Sequence, residues 1–337
     1  MCNRLHKRGE RVATIKDVAK KAGVSVATVS RAINGKGYVH EDTRKQIDEA
    51  IRQLNYKPNE VARSLYNKKS RLIGLILPDI RNPFFPELAR GVEDEMQEHG
   101  FRLIIGNADE KLEKELDYIE TFKQNNVIGL ISATTNAVLS HYENLSFPLV
   151  LLDRTSDEHP SVYANGLDGG SQAAKELVNR GCKRISLLKG PVETQTARDR
   201  FKGAVDELYT ANIHFDVMTT SFAFQEAEYW AKELFLKYPD TDGVIASNDV
   251  VAAAVLHEAH RLGKKIPEEL QIIGYDDIPF SQFLYPPLST IRQPAYEMGR
   301  EAGKLLIKFM NGDKVENKSI LLPVQFIERQ TTRKVEK

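Results

Sequence analysis

Side chains of the kinds that bind a sugar follow several short apolar runs in the middle and C-terminal parts of the chain. Aromatic rings cover the C–H faces of a sugar, and carboxylate, amide and guanidinium groups hydrogen-bond its adjacent hydroxyls. Because several carboxylates would repel an anion, these residue types predict a neutral sugar ligand. The residues are Asn82, Phe84 and Phe85 in a proline-punctuated loop, Asp153 with Arg154, Arg198 or Arg200, Phe222 or Phe224, Ser247 to Asp249, Tyr275 to Asp277, and Gln293.

Each of these residues also has a purely structural interpretation. Phe84 and Phe85 would then belong to the core, and Asp153 and Arg154 would form a surface ion pair. Asp249 would cap a helix that starts at Val250, and for this residue we accept the structural interpretation. For the others we favour a binding site, because they all follow predicted strands, and we expect Phe84 and Phe85 in a loop rather than on a helix.

Apolar runs alternate with amphipathic segments from Leu72 onward. This alternation is typical of parallel sheets covered by helices. The runs are too many for one small sheet, so we predict two α/β lobes with a ligand cleft at the carboxyl ends of their strands. The expected strands are Leu72–Leu77, Leu103–Gly106, Gly129–Ser132, Leu149–Leu152, Ile185–Lys189, Gly243–Ala246 and Gln271–Gly274, and the expected helices are Pro86–His99, Leu112–Asn125, Gly170–Arg180, Asp199–Tyr209, Ala227–Lys237 and Val250–Leu262.

Residues 14–34 have the pattern of two short helices around a tight turn. Gly23 permits the turn, Ser25 caps the second helix, and apolar residues such as Val29 recur at helical spacing. The second helix presents small or hydrogen-bonding side chains outward, as a helix that reads base edges must. These side chains belong to Ala27, Thr28, Ser30, Arg31 and Asn34.

Charge is divided unevenly along the chain. Residues 1–71 contain 17 Lys and Arg against 7 Asp and Glu, whereas the remaining residues contain 30 against 40. A basic head gains affinity for DNA from phosphate contacts, and an acidic body keeps away from it. The charge pattern therefore predicts a nucleic-acid partner that contacts the N-terminal part only.

Enzyme and membrane classes lack support in the sequence. The chain has no phosphate-binding P-loop, dinucleotide fingerprint or nucleophile elbow, and His257 and His260 have no third ligand nearby. No apolar run is long enough to span a bilayer, and the N-terminus does not read as a signal peptide. Cys2 and Cys182 form no disulfide framework. We therefore expect a cytoplasmic protein that is not an enzyme and uses no cofactor or metal.

The segment between the basic head and the body predicts a conditional helix. A third helix near Glu41–Leu54 closes the head, and Pro58 and Asn59 interrupt the chain after it. Glu60–Tyr66 is helix-competent but only two turns long, and a helix this short is marginal in water by itself. We expect it to fold only against a partner. The basic linker Asn67–Arg71 follows it.

The head resembles the lactose-repressor family of bacterial transcription regulators. The segment Thr14–Asn34 matches the family's helix-turn-helix, and Pro58–Leu65 matches its hinge helix. The resemblance implies a homodimer on a palindromic operator, with paired hinge helices that form on DNA and insert Leu65 into the minor groove. The implied DNA-binding residues are Thr14, Ser25, Val26, Ala27, Thr28, Ser30, Arg31, Asn34, Tyr38, Ala62 and Leu65.

The body, Arg71–Arg333, resembles the periplasmic sugar-binding fold, and within it ribose-binding proteins and ribose-operon repressors. The resemblance implies D-ribose as effector, and it selects Arg200 and Phe222 over Arg198 and Phe224. The implied ligand-binding set is Asn82, Phe84, Phe85, Asp153, Arg154, Arg200, Phe222, Asn248, Asp276 and Gln293. The first eleven residues extend beyond the family pattern. Gln325–Lys337 lacks the leucine heptads of a tetramer arm, which favours a dimer.

The resulting expectation is a three-helix helix-turn-helix head with a hinge helix, followed by a two-lobed sensor of doubly wound parallel sheets like the periplasmic binding proteins. The expected boundaries are residues 12–58 for the head, 59–70 for hinge helix and linker, and 71–337 for the sensor, with lobe 1 at about 71–166 and 294–323 and lobe 2 at about 167–291 and 324–333.

The function expected from both patterns is a repressor of a ribose uptake and utilisation operon that D-ribose releases from its operator. A carbon catabolite regulator with a phosphoprotein corepressor, or a repressor that answers to another pentose, stays open. So does the sign of the effector, because some family members use their ligand as a corepressor. A transport-type receptor is opposed by the DNA-binding head.

Overall fold

The computed structural model describes residues 13–35, 37–56, 70–134, 142, 145–156 and 158–335. The chain divides into two compact units, Met1–Ser70 and Arg71–Lys337. The expected hinge helix, with Ala62 and Leu65, lies outside the described residues. No helix in the described ranges is long and apolar enough to cross a membrane.

The first unit contains helices α1 (Ile15–Ala22), α2 (Val26–Asn34) and α3 (Glu41–Gln53). The Thr14 hydroxyl and the Asp17 side chain cap α1 reciprocally, and Gly23 ends it with a φ of 67°, a left-handed value that costs glycine little. The helices pack through a small core in which Val18, Val29 and Ile47 are fully buried. The predicted helix-turn-helix arrangement is confirmed.

The second unit begins with the strands and helices of lobe 1. These are β1 (Leu72–Leu77), α4 (Phe84–Glu98), β2 (Arg102–Asn107), α5 (Leu112–Gln124), β3 (Leu130–Ser132), β4 (Leu149–Leu152) and β5 (Ser161–Ala164). Lobe 2 follows with α6 (Gly166–Asn179), β6 (Arg184–Lys189), α7 (Gln195–Thr210), β7 (His214–Thr219), α8 (Ala227–Lys237), β8 (Gly243–Ile245), α9 (Asp249–Arg261), β9 (Gln271–Asp276) and β10 (Ser289–Arg292). The chain then returns to lobe 1 as α10 (Ala295–Asn311) and β11 (Ser319–Leu322), and to lobe 2 as β12 (Gln325–Ile327).

The described strands form two sheets of the same design. Their orders are β11-β5-β4-β3-β1-β2 and β12-β10-β9-β8-β6-β7. Neighbouring strands are parallel, except that β12 runs antiparallel to β10. Helices cover both sheets, so runs such as β1 are buried on both faces, which explains why they read as continuous apolar segments. The expectation of two α/β lobes with parallel sheets is confirmed.

Close helix packing fixes the position of α7, which carries Arg200. A Cβ on Gly170 of α6 would lie 1.9 Å from the Arg200 carbonyl oxygen, and a Cβ on Gly203 of α7 would lie 1.9 Å from the Leu167 carbonyl oxygen. Both positions therefore require glycine, and the two helices approach each other more closely than side chains would allow.

Several sequence-based expectations for the elements are wrong. Phe84 and Phe85 do not lie in a loop, because α4 begins at Phe84 directly after Pro83. The strand β9 continues through Asp276 instead of ending at Gly274. The prediction also lacked β5, β7, β10, β11, β12 and α10.

Candidate functional site

A cleft lies between the carboxyl ends of the two sheets. Lobe 1 and lobe 2 both contribute side chains to it. Of the predicted ligand-binding residues, Asn82, Phe84, Phe85, Asp153, Arg154, Arg200, Phe222, Asn248 and Asp276 line this cleft. Gln293 lies behind it, and its amide nitrogen donates a hydrogen bond of 2.8 Å to the Asp276 carboxylate. The structure therefore brings the predicted set together around one space.

Two phenylalanines and an asparagine form one wall of the cleft. The Asn82 side-chain oxygen accepts a hydrogen bond of 3.1 Å from the Phe84 backbone N–H and so holds the start of α4. The rings of Phe84 and Phe85 meet edge to face, with centroids 5.2 Å apart. This wall offers an aromatic surface to a ligand and a buried amide beside it.

Asp153 and Arg154 form a buried pair rather than the surface ion pair of the alternative interpretation. Both side chains are more than nine-tenths buried, and Arg154 donates to the Asp153 carboxylate. Arg154 also lies 3.3 Å from the hydroxyl of Thr196 in lobe 2. Asp153 has a left-handed φ of 57°, which turns the chain directly after β4.

Arg200 and Asp276 form the opposite wall of the cleft. The Arg200 guanidinium stacks over the Tyr275 ring at 3.7 Å and lies 5.9 Å from the Phe222 ring centroid. It donates to the Ser247 carbonyl at 3.1 Å and approaches the Asp276 carboxylate to 3.6 Å. The stacking and hydrogen bonds leave little rotational freedom, so this charge pair is held in place before any ligand binds.

Burial dominates the electrostatics of this wall. It raises the pKa of Asp276 to about 7, although Arg200 and the amides of Gln293 and Asn82 oppose the increase. Burial and the nearby Asp276 charge raise the pKa of Asp249 to about 7 as well. Both carboxyl groups are thus poised to change ionisation near neutral pH.

Four polar atoms in the cleft are buried and have no hydrogen-bond partner among the described residues. They are Asp153 Oδ1, Arg154 Nε, Arg200 Nε and Asn248 Nδ2. An unsatisfied buried polar atom costs about 1–3 kcal/mol, and most such atoms in proteins are satisfied. One acceptor and three donors are what the hydroxyls of a sugar can satisfy, because each hydroxyl both donates and accepts.

Asp249 does not cap α9, contrary to the sequence-based interpretation. Asn248 is the cap, because its side-chain oxygen accepts a hydrogen bond of 2.9 Å from the Val251 N–H. Asp249 is the first residue of the helix and is almost fully buried.

Arg198 and Phe224, the alternatives to Arg200 and Phe222, do not line the cleft. Arg198 is exposed and donates to nearby carbonyls, and Phe224 is exposed.

Three residues that line the cleft were not predicted from the sequence, namely Asp79, Glu110 and Thr196. Asp79 follows β1 in the same loop as Asn82, so its position after a strand was a usable signal. Thr196 lies one helical turn before Arg200 and shares its face of α7, which was also readable. Glu110 and the preceding Asp109 have left-handed φ values of 56° and 50°, respectively. The sequence does not indicate this conformation.

The head presents a polar surface around α2. Thr14, Ser25, Val26, Ala27, Arg31 and Tyr38 are exposed, and Thr28 and Ser30 are half-buried. Ser25 caps α2 by accepting a hydrogen bond of 3.1 Å from the Thr28 N–H. The side chains of Asn34, Ala62 and Leu65 lie outside the described residues. Small, exposed side chains at the start of α2 would allow its close approach to base edges.

Both parts of the chain match known protein families. Residues 14–59 match bacterial regulatory proteins of the lacI family, and residues 174–332 match the periplasmic binding protein-like domain. The chain is 57% identical over 324 residues to the ribose operon repressor of Bacillus subtilis, covering 96% of this chain and 99% of that protein. The chain belongs to the lacI family. It is a DNA-binding transcriptional repressor and not an enzyme.

Solved structures of lacI-family proteins share the fold of this repressor. The lac repressor dimer bound to operator and the anti-inducer ONPF matches with a TM-score of 0.85 and 26% identity, covering 95% of this chain and 99% of that one. A lacI-family regulator of Enterococcus faecium with bound ribose matches with a TM-score of 0.71 and 31% identity, covering 77% and 98%. The resemblance on which the sequence analysis relied is confirmed.

Proposed function

We propose that this repressor controls a ribose uptake and utilisation operon and that D-ribose binds the cleft between its lobes. The observation that carries the proposal is the convergence of Asn82, Phe84, Phe85, Asp153, Arg154, Arg200, Phe222, Asn248 and Asp276 on one cleft that contains four unsatisfied polar atoms. The names of its relatives, and the ribose in the Enterococcus faecium structure, support the same ligand.

Titration of the purified chain by calorimetry tests the ligand. D-ribose should bind with a single site, and D-xylose, L-arabinose and D-glucose should bind more weakly because their hydroxyls meet the fixed donors and acceptors differently. Arg200→Ala should abolish binding, whereas Arg198→Ala, two residues away on the same helix and exposed, should not. Heat with another pentose but none with ribose would transfer the assignment to that pentose.

We propose further that the repressor is a homodimer. The loop after β9 exposes three aromatic side chains: Phe280 is 62% exposed, Phe283 is 76% exposed and Tyr285 is 87% exposed. Exposed aromatic groups of this size are typical of a protein contact. Sedimentation of Phe283→Asp should show a shift to monomer. Leu236→Asp, at a side chain that is 75% exposed on α8, should leave the dimer intact.

We propose that ribose releases the dimer from a palindromic operator in the cytoplasm. Closure of the cleft around ribose would move lobe 1 against lobe 2 and alter the separation of the two linkers. From the sequence we expect the segments Glu60–Tyr66, which lie outside the described residues, to form helices only when paired on DNA, so separated linkers would weaken operator binding. Coupling of this kind is worth about 1–3 kcal/mol, or 5- to 150-fold in affinity. Operator titration with and without saturating ribose measures it, and tighter binding with ribose would reverse the sign.

A further inference from the structure

The carboxylate of Asp249 connects three separate segments of lobe 2. One oxygen accepts a hydrogen bond of 2.9 Å from the Ile278 N–H and one of 2.5 Å from the Ser281 hydroxyl. The other oxygen accepts one of 2.5 Å from the Thr290 hydroxyl on β10. Asp249, Ser281 and Thr290 are all almost fully buried. The carboxylate therefore joins the start of α9 to the loop after β9 and to the next strand.

The loop held by Asp249 directly follows Asp276, the last residue of β9. Asp276 has a φ of 105° and Asp277 a φ of 57°, both in the left-handed region. Such values cost non-glycine residues about 1–3 kcal/mol each and persist only where the surroundings enforce them. Ile278, whose N–H is bonded to Asp249, comes directly after these two residues. The hydrogen bond thus fixes the chain at the point where the strained turn ends.

The sequence around this contact accommodates the carboxylate specifically. A Cβ on Gly274 of β9 would lie 2.1 Å from Asp249 Oδ1, so no larger residue fits beside it. On its other side, Asp249 follows Asn248, whose amide nitrogen is one of the unsatisfied atoms of the cleft. Asp249 lines no part of the cleft, yet it adjoins one residue that does and holds the turn that bears another.

We propose that Asp249 is a positioning residue of the effector site, which aims the Asp276 carboxylate and the Asn248 amide into the cleft. The proposal rests on the proposed function for its effect on ribose, but the positioning itself is a property of the free protein. Asp249 acts through its three hydrogen bonds and does not touch the ligand.

The two carboxyl groups also interact electrostatically, because the Asp276 charge raises the pKa of Asp249. Arg200 from α7, Asp153 from the end of β4, and the amides of Gln293 and Asn82 face Asp276, while Asp249 is faced by Asp276 and by the donors already named. Because like charges disfavour each other's ionisation, removal of the Asp249 charge should lower the pKa of Asp276. A residue that only filled space would leave that pKa unchanged.

Three variants of the full chain test the proposal. Asp249→Asn keeps the size but removes the charge, and its amide nitrogen faces a donor where an oxygen accepted before. Thr290→Val removes one of the three bonds. Ser289→Ala is the matched control, because Ser289 is the neighbouring residue on β10 and equally buried, and its hydroxyl bonds to the Thr332 hydroxyl and the Arg329 N–H instead of Asp249.

Two measurements separate positioning from ligand identity. Amide hydrogen exchange without ligand should show faster exchange in the segment 275–288 for Asp249→Asn, an intermediate rate for Thr290→Val, and the wild-type rate for Ser289→Ala. Ribose titration from pH 5.5 to 8.5 should show affinity weakened about tenfold or more for Asp249→Asn, in line with lost buried hydrogen bonds. The midpoint of the pH dependence of this affinity should also shift to lower pH.

Each result decides the matter. Wild-type exchange in Asp249→Asn, or equal losses in Asp249→Asn and Ser289→Ala, would overturn the proposal because the network would then have no special role. If Asp249→Asn binds ribose more weakly but its affinity has the wild-type pH midpoint, Asp249 would be only a packing residue, and the proposal would also be overturned. If wild-type protein binds no ribose, the proposed ligand is wrong, and the exchange rates alone decide whether Asp249 positions the Asp276 turn.

Discussion

Replacement of Asp276 should weaken ribose binding without destabilising the folded protein. The reason is that the Asp276 carboxylate favours ligand binding but, because it is buried, disfavours folding. Asp276 is only 5% exposed, lies 3.6 Å from Arg200, and accepts a hydrogen bond of 2.8 Å from Gln293. In the proposed complex the carboxylate would accept hydrogen bonds from two ribose hydroxyls. Truncation of one partner of a buried, charge-assisted hydrogen-bond pair costs about 2–5 kcal/mol, so Asp276→Ala should lose about that much binding free energy.

The effect on the stability of the free protein should have the opposite sign. The pKa of Asp276 rises from 3.8 to about 7 on folding. A carboxyl group whose folded pKa is raised destabilises the native state at pH values above its unfolded pKa, and the full cost, about 4 kcal/mol for this shift, is present above pH 7. Asp276→Asn keeps the size and an acceptor for Gln293 but removes this cost. It should therefore melt at or above the wild-type temperature at pH 8, with a smaller advantage at pH 5.

Calorimetry and thermal denaturation at pH 8 measure both effects on the same samples. The expected result is ribose affinity reduced by about 30-fold or more together with unchanged or increased melting temperature for Asp276→Asn. Asp168→Asn, on the exposed start of α6, serves as the control. Affinity within threefold of wild type would refute the role of Asp276 as a hydroxyl acceptor, and a large drop in melting temperature at pH 8 would refute the assigned cost of its burial.

Four further outcomes follow from the same structure. Ribose affinity should be full above pH 7 and fall as the pH drops below it, because the ribose hydroxyls need the ionised Asp276 carboxylate, whose pKa in the free site is about 7. Calorimetry in two buffers should detect the release of a proton on binding. Ribose 5-phosphate should bind at least tenfold more weakly than ribose in the same titration, since Asp79, Glu110, Asp153 and Asp276 line the cleft. Leu65→Ala should lose specific operator binding but keep salt-sensitive non-specific binding in gel-shift assays. Thr14→Ala should weaken α1 by about 1 kcal/mol, seen as faster amide exchange in residues 15–22.

Sequence patterns predicted those elements whose limits are defined by residues close to them in the chain. The bounds of β1, β4 and α8 agree with the structure residue for residue. Apolar runs bounded by prolines or charged residues define the two strands, and Pro239 follows shortly after the amphipathic α8. β7 was missed because it is an edge strand whose residues are mostly exposed or half-buried, so it forms no apolar run. β10 was missed because Ser289 and Thr290 read as polar loop residues. Their hydroxyls are satisfied by Thr332 and Asp249, which lie 43 and 41 residues away, and no local pattern indicates such partners.

The parts of the candidate site that were predicted likewise depend on nearby residues or on strand topology, whereas the part that was misassigned depends on distant partners. Asp153, Asn248 and Asp276 were found because each lies at or just after the carboxyl end of a strand in a parallel sheet, where topology alone brings side chains together. Asp249 was taken for a cap because an acidic residue at a helix start fits that role equally well by local criteria. Its actual partners, Ile278, Ser281 and Thr290, lie 29, 32 and 41 residues away. A buried carboxylate with three distant donors breaks the local rule, and such violations tend to occur where a protein holds a functional group against strain. The misassigned residue therefore leads directly to the strained turn at Asp276, which local sequence patterns could not reveal.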